Sequence, residues 1–222
     1  MSTATFEPRL DILPPAQRRL WDELIATPQH FVLYGGTAIA LRLGHRQSED
    51  FDFFSAEPFS PRLLKSGIGY LDGAEIIQSE KNTLTCIADR GGPVQVSFFG
   101  GLDLNRVTDP GTPAGPVGIR VAALVDLMAV KLGVVMERAA YKDYFDIAAL
   151  LRAGVGLAEG LGAAQAIFGP SFNPLISIKA LMFYDDGDLS RLEPETRSKL
   201  TEAARTTDPR TLPVIASRKG LF

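Results

Sequence analysis

The sequence of 222 residues predicts an α+β fold, in which a mixed sheet with flanking helices is followed by a helical C-terminal part. Helix-like and strand-like patterns alternate up to residue 54, and three strand patterns separated by turn residues then occupy 75–99. Every later pattern is helical. We therefore predict an α/β core over 1–108, a Pro/Gly linker over 109–118, and a helical region over 119–222 that packs on the core.

The first elements form a compact helix–strand–helix–strand unit. A helix is predicted over 16–27, where apolar residues recur at helical spacing after two prolines. An apolar strand over 31–34 ends at Gly35-Gly36, and a short helix over 37–43 stops at Gly44. A polar turn leads to a strand over 50–54, and one further short helix is expected at 61–67.

Turn residues divide the following segment into three strands, over 75–79, 83–88 and 94–99, which suggests an antiparallel meander. Three Pro and three Gly then mark 109–118 as the clearest linker. The helical patterns beyond it cover five segments: 121–136, 141–152, 156–167, 174–183 and 194–204.

Composition limits the classes of function. The net charge of −3 argues against binding long nucleic acid through bulk charge, but leaves room for a local basic groove. The single cysteine, Cys86, excludes an intramolecular disulfide and is expected to be a small buried hydrophobe. Residues 1–9 show no secretory signal, and no apolar run is long enough to span a bilayer, so we expect a cytoplasmic protein that avoids membranes.

Asp50 and Asp52 form the most informative pair. They lie at i and i+2 on a strand, so both side chains project from one face, with Cα atoms about 6.5–7 Å apart. Two carboxylates held that close on an apolar strand are costly unless a cation lies between them. Such ligands suit Mg²⁺ or Mn²⁺, and Mg²⁺ is usually held by one or two carboxylates together with substrate phosphates.

The glycine turn before this strand predicts phosphate binding. Gly35 and Gly36 leave backbone N–H groups open at a helix N-terminus, which favours anions. Thr37 could add its hydroxyl; the alternative is an ordinary helix cap. Arg46 and Ser48 supply a guanidinium and a hydroxyl suited to carboxylate or phosphate. With the aspartate pair, these residues outline a site for nucleotidyl transfer from an NTP.

A second set of charges lies in the helical part. Lys131 interrupts the longest apolar segment, and a buried ammonium requires an anionic partner. On one continuous helix, Lys131, Arg138, Lys142 and Asp146 would share a face. Lys131 and Arg138 could then meet a triphosphate, while Asp143 and Asp146 orient these cations or contact the acceptor. The alternative is a structural salt-bridge ladder between two helices, with Lys142 and Asp146 as a surface pair.

Two other groups give weaker signals. The acidic segment 184–188 favours an acidic turn over a cation site, because it is far shorter than a twelve-residue Ca²⁺ loop and lacks the terminal Glu. His30 and His45 are too few and too far apart in sequence for a histidine-based zinc site or a Ser-His-Asp triad.

The two charged segments carry a family resemblance. Residues 35–54, Gly-Gly-Thr-Ala-x-Ala-Leu-Arg-x-Gly-His-Arg-x-Ser-x-Asp-Phe-Asp-Phe-Phe, resemble the AbiEii/AbiGii type of nucleotidyltransferase-like toxin. These toxins occur in type IV toxin–antitoxin systems and belong to the DNA polymerase β-like nucleotidyltransferase superfamily. A second block, Lys131 through Arg138 to Lys142-Asp143-x-x-Asp146, is similar to that family's downstream motif. The resemblance covers roughly residues 15–152.

The resemblance implies a polymerase β-like nucleotidyltransferase fold in a bacterial protein. It implies Mg²⁺-dependent transfer of a nucleotidyl group from an NTP to a hydroxyl, either at an RNA 3′ end such as that of tRNA or on a protein side chain. A cognate antitoxin is the implied partner. The candidate catalytic residues are Asp50, Asp52, Lys131 and Asp143, and the candidate nucleotide-binding residues are Gly35, Gly36, Thr37, Arg46, Ser48 and Arg138.

One position departs from the superfamily pattern. A third carboxylate is generally found on a later strand, and here Ser97 occupies that place. Serine is a poorer Mg²⁺ ligand and no general base at neutral pH. Asp103 could fold back to replace the missing carboxylate. The alternative to an active enzyme is therefore a catalytically impaired protein of this fold that acts by nucleotide or protein binding. A metal-dependent phosphohydrolase is a third class, but the sequence lacks a His-Asp metal motif.

Overall fold

The computed structural model describes residues 4–222 and divides the chain into two compact units. The α/β unit contains the residues up to Leu104, Asp109–Ala123 and Gly220–Phe222. The helical unit contains Asn105–Thr108 and Leu124–Lys219. Residues 1–3, part of the segment for which no secretory signal is predicted, lie outside the described residues.

The described residues form strands and α-helices, with short 3₁₀ turns between some of them. The strands are β1 (Thr5–Phe6), β2 (Val32–Tyr34), β3 (Asp50–Phe54), β4 (Glu75–Glu80), β5 (Thr83–Asp89), β6 (Pro93–Phe99), β7 (Asn105–Arg106), β8 (Thr112–Pro113), β9 (Arg120–Val121) and β10 (Arg218–Lys219). The helices are α1 (Pro15–Leu20), α2 (Gly35–Leu43), α3 (Pro61–Gly67), α4 (Leu124–Val134), α5 (Tyr141–Arg152), α6 (Leu157–Phe168), α7 (Pro174–Ala180) and α8 (Pro194–Thr206).

A six-stranded mixed sheet, in the order β4-β5-β6-β3-β2-β9, organises the α/β unit. The predicted meander is confirmed, because β4, β5 and β6 pair antiparallel in succession. Strand β6 then pairs parallel with β3, β3 pairs antiparallel with β2, and β2 pairs parallel with β9. The mixed α/β class expected from the sequence is therefore the observed one.

The two faces of this sheet differ in chemistry. One face carries fully buried apolar side chains, including Phe51, Phe53, Val96 and Phe98, each with 0% of its surface exposed. Trp21 packs against this face with its ring centroid 6.4 Å from that of Phe51. The alternate residues of β3 and β6 point to the opposite face and include polar side chains. Burial of the apolar face fixes the register, because a shift of one residue would exchange the two faces.

Several boundaries differ from the sequence predictions. The helix expected over 16–27 is α1 followed by a 3₁₀ segment, Trp21–Ala26, and this change of pitch leaves Ile25 58% exposed. The predicted linker region includes β8, which pairs with β1 in the α/β unit. Strand β9 is not among the predicted strands, and the helix predicted over 121–136 begins at its second residue, Val121, since two residues are too few to show a period.

Helices α4–α8 make up most of the helical unit, together with the antiparallel ribbon of β7 and β10. The helix predicted over 121–136 is shorter, because Met136 and Glu137 donate to carbonyls three residues back and tighten the last turn. Helices α4 and α5 are therefore separate, and the single continuous charged face considered above does not exist. None of the helices in residues 4–222 is by itself long and apolar enough to cross a membrane.

Asp126, near the start of α4, holds the β7 segment within the helical unit. Its carboxylate accepts hydrogen bonds from the backbone N–H groups of Val107 (2.8 Å) and Thr108 (3.0 Å). Burial raises the pKa of Asp126 to about 6, and these hydrogen bonds and the charge of Arg106 offset only part of that rise.

We expect Asp126 to titrate near pH 6, which carbon NMR of its carboxyl group would measure. Because its folded pKa lies above the unfolded value, its contribution to stability is greatest below pH 4 and decreases as the pH rises from about 4 to about 6. The free energy of unfolding of the Asp126→Asn variant should lack that decrease, which amounts to roughly 3 kcal/mol at most. Parallel pH profiles of the two proteins would contradict this account.

Candidate functional site

Strand β3 presents Asp50 and Asp52 on the polar face of the sheet. Both residues are half-buried, whereas Phe51 and Phe53 between and beyond them are fully buried on the opposite face. The alternation confirms that the two carboxylates share a face. The strand is anchored by its aromatic side chains, so the position of the pair is fixed by core packing.

The N-terminus of α2 lies against Asp52. Gly35 begins the helix with φ of 74°, and a Cβ at this position would lie only 2.7 Å from Asp52 Oδ2. The N-cap residue, Tyr34, makes no capping hydrogen bond with its side chain. The positive end of the helix dipole and the N–H groups of its first turn therefore face the neighbourhood of a carboxylate pair, where a phosphate and a cation would neutralise one another.

Arg46 and Ser48 lie at the same corner of the α/β unit, next to the first turn of α2. A Cβ on Gly36 would collide with Arg46 Nη2 and would lie 3.2 Å from Ser48 Oγ. The absence of a side chain at Gly36 thus lets the guanidinium approach the backbone of α2. The predicted residues between positions 35 and 52 are brought together in space.

Thr37 has a structural contact in this corner. It is the third residue of α2 and is 2% exposed. Its hydroxyl donates to the backbone carbonyl of Asp50 and lies 2.8 Å from Ser48 Oγ. This contact ties α2 to the start of β3, so Thr37 positions Asp50; it is not the helix cap considered as an alternative.

We expect Gly35→Ala to weaken both the fold and the carboxylate site. A left-handed backbone costs a non-glycine residue about 1–2 kcal/mol, and the added methyl group would displace Asp52. Gly73→Ala is the matched control, because Gly73 has φ of 71° and open space around it. Urea unfolding should give a larger loss for Gly35→Ala, and only that variant should lose affinity for Mn²⁺. Equal losses in the two variants would contradict the contact.

Ser97 lies beside Asp52 on the neighbouring parallel strand β6. It is 2% exposed, and its hydroxyl accepts a hydrogen bond from Thr85 Oγ1 at 3.3 Å. No group of three His, Cys, Asp or Glu side chains that could hold a metal ion occurs in residues 4–222. Within these described residues, Asp103 therefore does not complete such a group with Asp50 and Asp52.

The carboxylate pair still fits a Mg²⁺ ion. Mg²⁺ is commonly held by one or two carboxylates and completes its coordination with water and substrate phosphates. Gln95, which lies beside Asp50 on β6, adds a neutral amide to the same face. Sequence reasoning missed Gln95, because pairing between two strands that lie far apart in the sequence leaves no local pattern.

The second charged set forms one cluster within the helical unit. Lys131 Nζ on α4 lies 2.6 Å from Asp143 Oδ1 and 2.8 Å from Asp146 Oδ2, both on α5. The two carboxylates are completely buried, and the Lys131 side chain is 9% exposed. Arg138 Nε donates to Asp143 Oδ2 at 2.8 Å while its side chain stays 57% exposed. The prediction that Lys131 needs an anionic partner is confirmed.

These contacts correct the pairing expected for Asp146. It was considered as a surface partner of Lys142, but it is buried against Lys131, and Lys142 is exposed. Burial alone would raise the pKa of Asp143, but the hydrogen bonds and charges of Arg138 and Lys131 outweigh it and hold the pKa below its ordinary value. The cluster is therefore a buried network of ion pairs that joins α4 to α5.

The acidic segment 184–188 is a turn with a structural contact. Asp188 Oδ1 accepts a hydrogen bond from the backbone N–H of Tyr141, at the start of α5, at 2.6 Å. A carboxylate at a helix N-terminus is stabilised by the helix dipole.

Cys86 is completely buried in β5, as expected for a small hydrophobe.

Comparison with known families agrees with this arrangement. The family model described as "Nucleotidyl transferase AbiEii toxin, Type IV TA system" matches residues 19–208 of the chain. The chain belongs to the AbiEii nucleotidyltransferase toxin family. The family match includes both charged sets, from Gly35 to Asp52 and from Lys131 to Asp146.

One relative and one solved structure show how far the likeness of this AbiEii-family chain extends. An uncharacterized protein of Aquifex aeolicus (strain VF5) is 32% identical over 124 residues, which cover 55% of this chain and 58% of that protein. The nucleotidyltransferase toxin MenT4 of Mycobacterium tuberculosis H37Rv superposes with a TM-score of 0.57 at 13% identity, over 85% of this chain and 82% of that one. The second likeness shows a shared fold.

Proposed function

We propose that this AbiEii-family protein is a Mg²⁺-dependent nucleotidyltransferase that transfers a nucleotidyl group from an NTP to a hydroxyl and releases pyrophosphate. The observation that carries the proposal is the approach of the α2 N-terminus to Asp52, which is so close that a Cβ on Gly35 would lie 2.7 Å from the carboxylate. A phosphate-binding helix end and a carboxylate pair on one side of a sheet suit a metal-bound triphosphate.

Each candidate site residue of the α/β unit has a definite part in this proposal. Asp50 and Asp52 would hold the Mg²⁺ ion, or Mn²⁺ in its place, which would supply charge neutralisation at the phosphates. The N–H groups of Gly35 and Gly36 would bind phosphate oxygens, and Arg46 would contribute a cation beside them. Thr37 and Ser48 would act indirectly, because the Thr37 hydroxyl contacts both the Ser48 hydroxyl and the backbone carbonyl of Asp50 and so fixes α2 against the start of β3.

In the helical unit, the resemblance assigns catalytic roles to Lys131 and Asp143 and nucleotide contact to Arg138. The contacts observed within that unit support a structural role for Lys131 and Asp143, since each is buried in the same network of ion pairs. Arg138 differs, because more than half of its side chain is exposed while it remains bonded to Asp143. We propose Arg138 as the member of this set that contacts phosphate.

The acceptor and the cellular setting are also proposals. An RNA 3′ end, such as that of tRNA, or a protein side chain would accept the nucleotide, and a cognate antitoxin would oppose the activity, as the family description implies. The single buried cysteine suits a protein of the reducing cytoplasm.

A second candidate function follows from Ser97. With a buried hydroxyl beside Asp52, the protein would retain the fold and nucleotide binding but act through contact with another macromolecule. This candidate predicts Mg²⁺-dependent nucleotide binding without transfer of label.

The test uses each NTP labelled at the α-phosphate or at the γ-phosphate, incubated with Mg²⁺, total RNA and total protein. Transferase activity should move only the α-label into an acceptor and release the γ-label as pyrophosphate. Release of the γ-label as free phosphate would indicate a phosphohydrolase. Binding of nucleotide without any transfer would favour the impaired form, and absence of nucleotide binding would overturn the proposal.

A further inference from the structure

We infer that the nucleotide site of this chain holds one divalent cation, and that Ser97 excludes a second. The inference rests on the proposed function, and it concerns the number of ions that the residues of this chain can bind. A two-metal site places two divalent ions about 3.5–4 Å apart, which requires anionic ligands to offset their mutual repulsion. The neighbours of Asp50 and Asp52 in the sheet show whether such ligands are present.

Neutral side chains form a row across the sheet from Asp52. Asp52 on β3, Ser97 on β6 and Thr85 on β5 are register partners in turn, so they lie side by side on one face. Neighbouring strands are about 4.8 Å apart, a distance at which a carboxylate at position 97 would share a metal ion with Asp52. The observed Ser97 hydroxyl accepts a hydrogen bond from Thr85 instead.

The other register partners of the two aspartates in the sheet have neutral side chains as well. Gln95 lies beside Asp50 on β6, and Tyr34 lies beside Asp52 on β2. The formal charge of the carboxylate pair, two negative charges, is that needed to balance one divalent cation. Arg46 approaches the backbone of Gly36 in the same corner and adds positive charge. A second divalent ion would therefore find no further protein carboxylate as a ligand among these neighbours.

Ser97→Asp should restore the missing ligand. In the absence of metal, this substitution places a third carboxylate beside Asp52 and should lower the melting temperature, because like charges are brought together with little solvent. Saturating Mn²⁺ should raise the melting temperature of the variant by more than it raises that of the wild type. Ser97→Asn is the matched control, because the asparagine side chain has the shape of aspartate but carries no charge.

The decisive experiment counts Mn²⁺ ions per bound nucleotide by equilibrium dialysis of the full chain, with a saturating α,β-methylene nucleoside triphosphate that cannot transfer its nucleotidyl group. Electron paramagnetic resonance on the same samples distinguishes single ions from spin-coupled pairs. We expect one uncoupled ion in the wild type and in Ser97→Asn, and a coupled pair in Ser97→Asp.

Two ions per nucleotide in the wild type would overturn the inference and leave the proposed function intact. A folded Ser97→Asp variant that still binds one ion would also overturn it, because position 97 would then not decide the count. Failure of the wild type to bind either nucleotide or Mn²⁺ would instead contradict the proposed function. If Ser97→Asp does not fold, the wild-type count alone decides.

Discussion

Replacing Lys131 with methionine is expected to destabilise the protein by about 3–5 kcal/mol, because it leaves two buried carboxylates without their shared cation. Methionine preserves most of the side-chain volume, so the loss of stability would come from the missing charge and not from a cavity. Urea unfolding monitored by circular dichroism would measure it. A Lys131→Met variant as stable as the wild type would contradict the structural role of the cluster.

Two control variants separate the contributions within this cluster. Arg138→Met removes an exposed cation, and we expect a loss of about 1 kcal/mol. Lys131→Met combined with Asp146→Asn should recover part of the stability lost in Lys131→Met, since one unpaired buried charge is removed with its partner. Transfer activity measured on the variants that remain folded would show whether Lys131 has a catalytic role as well.

Changing both Asp50 and Asp52 to asparagine is expected to reduce nucleotidyl transfer by about a thousandfold or more. Loss of the metal ligands removes several kcal/mol of stabilisation from the charge that develops on the phosphates, and about 4 kcal/mol corresponds to a factor of a thousand. The assay is incorporation of α-labelled nucleotide at saturating Mg²⁺, with the fold checked by circular dichroism.

Asp72→Asn is the matched control for this double variant. Asp72 is an exposed aspartate of the α/β unit, in the turn before β4, and is not among the candidate site residues. We expect its activity to equal that of the wild type. Activity of the Asp50→Asn/Asp52→Asn variant within tenfold of the wild type would show that these carboxylates are not the metal ligands of the reaction.

The sequence predicted β3 and its two chemical faces well, because a strand with one buried face leaves a strict alternation of residue types. The sequence Asp-Phe-Asp-Phe at positions 50–53 contains that alternation in full. The glycines at 35 and 36 were informative for a similar reason, since both positions leave no room for a side chain. In this segment the residue pattern in the sequence follows directly from the local backbone geometry.

The pairing of β6 with β3 could not be derived from local patterns. Parallel strands are joined by long connections, so nothing near Asp52 identifies Ser97 as its neighbour. The family resemblance supplied that position, and the observed register agrees with it. The positions of Gln95 and Thr85 beside the site were not predicted, because the family resemblance does not include them.

The helical part was predicted less accurately for a different reason. Residues 121–136 are apolar on nearly every face, so they show no period that could reveal where β9 ends and where α4 stops. The need of Lys131 for a carboxylate followed from burial alone. The identity of both partners depended on how α4 packs against α5, which is a tertiary property.

Crystals of the protein grown with Mn²⁺ and an α,β-methylene nucleoside triphosphate would test the central claim most directly, through the anomalous scattering of manganese. We expect an anomalous peak at coordination distance, about 2.2 Å, from carboxylate oxygens of both Asp50 and Asp52, with the phosphates at the N-terminus of α2. A bound nucleotide with its manganese away from this pair, or an anomalous peak only at the acidic segment 184–188, would contradict the account.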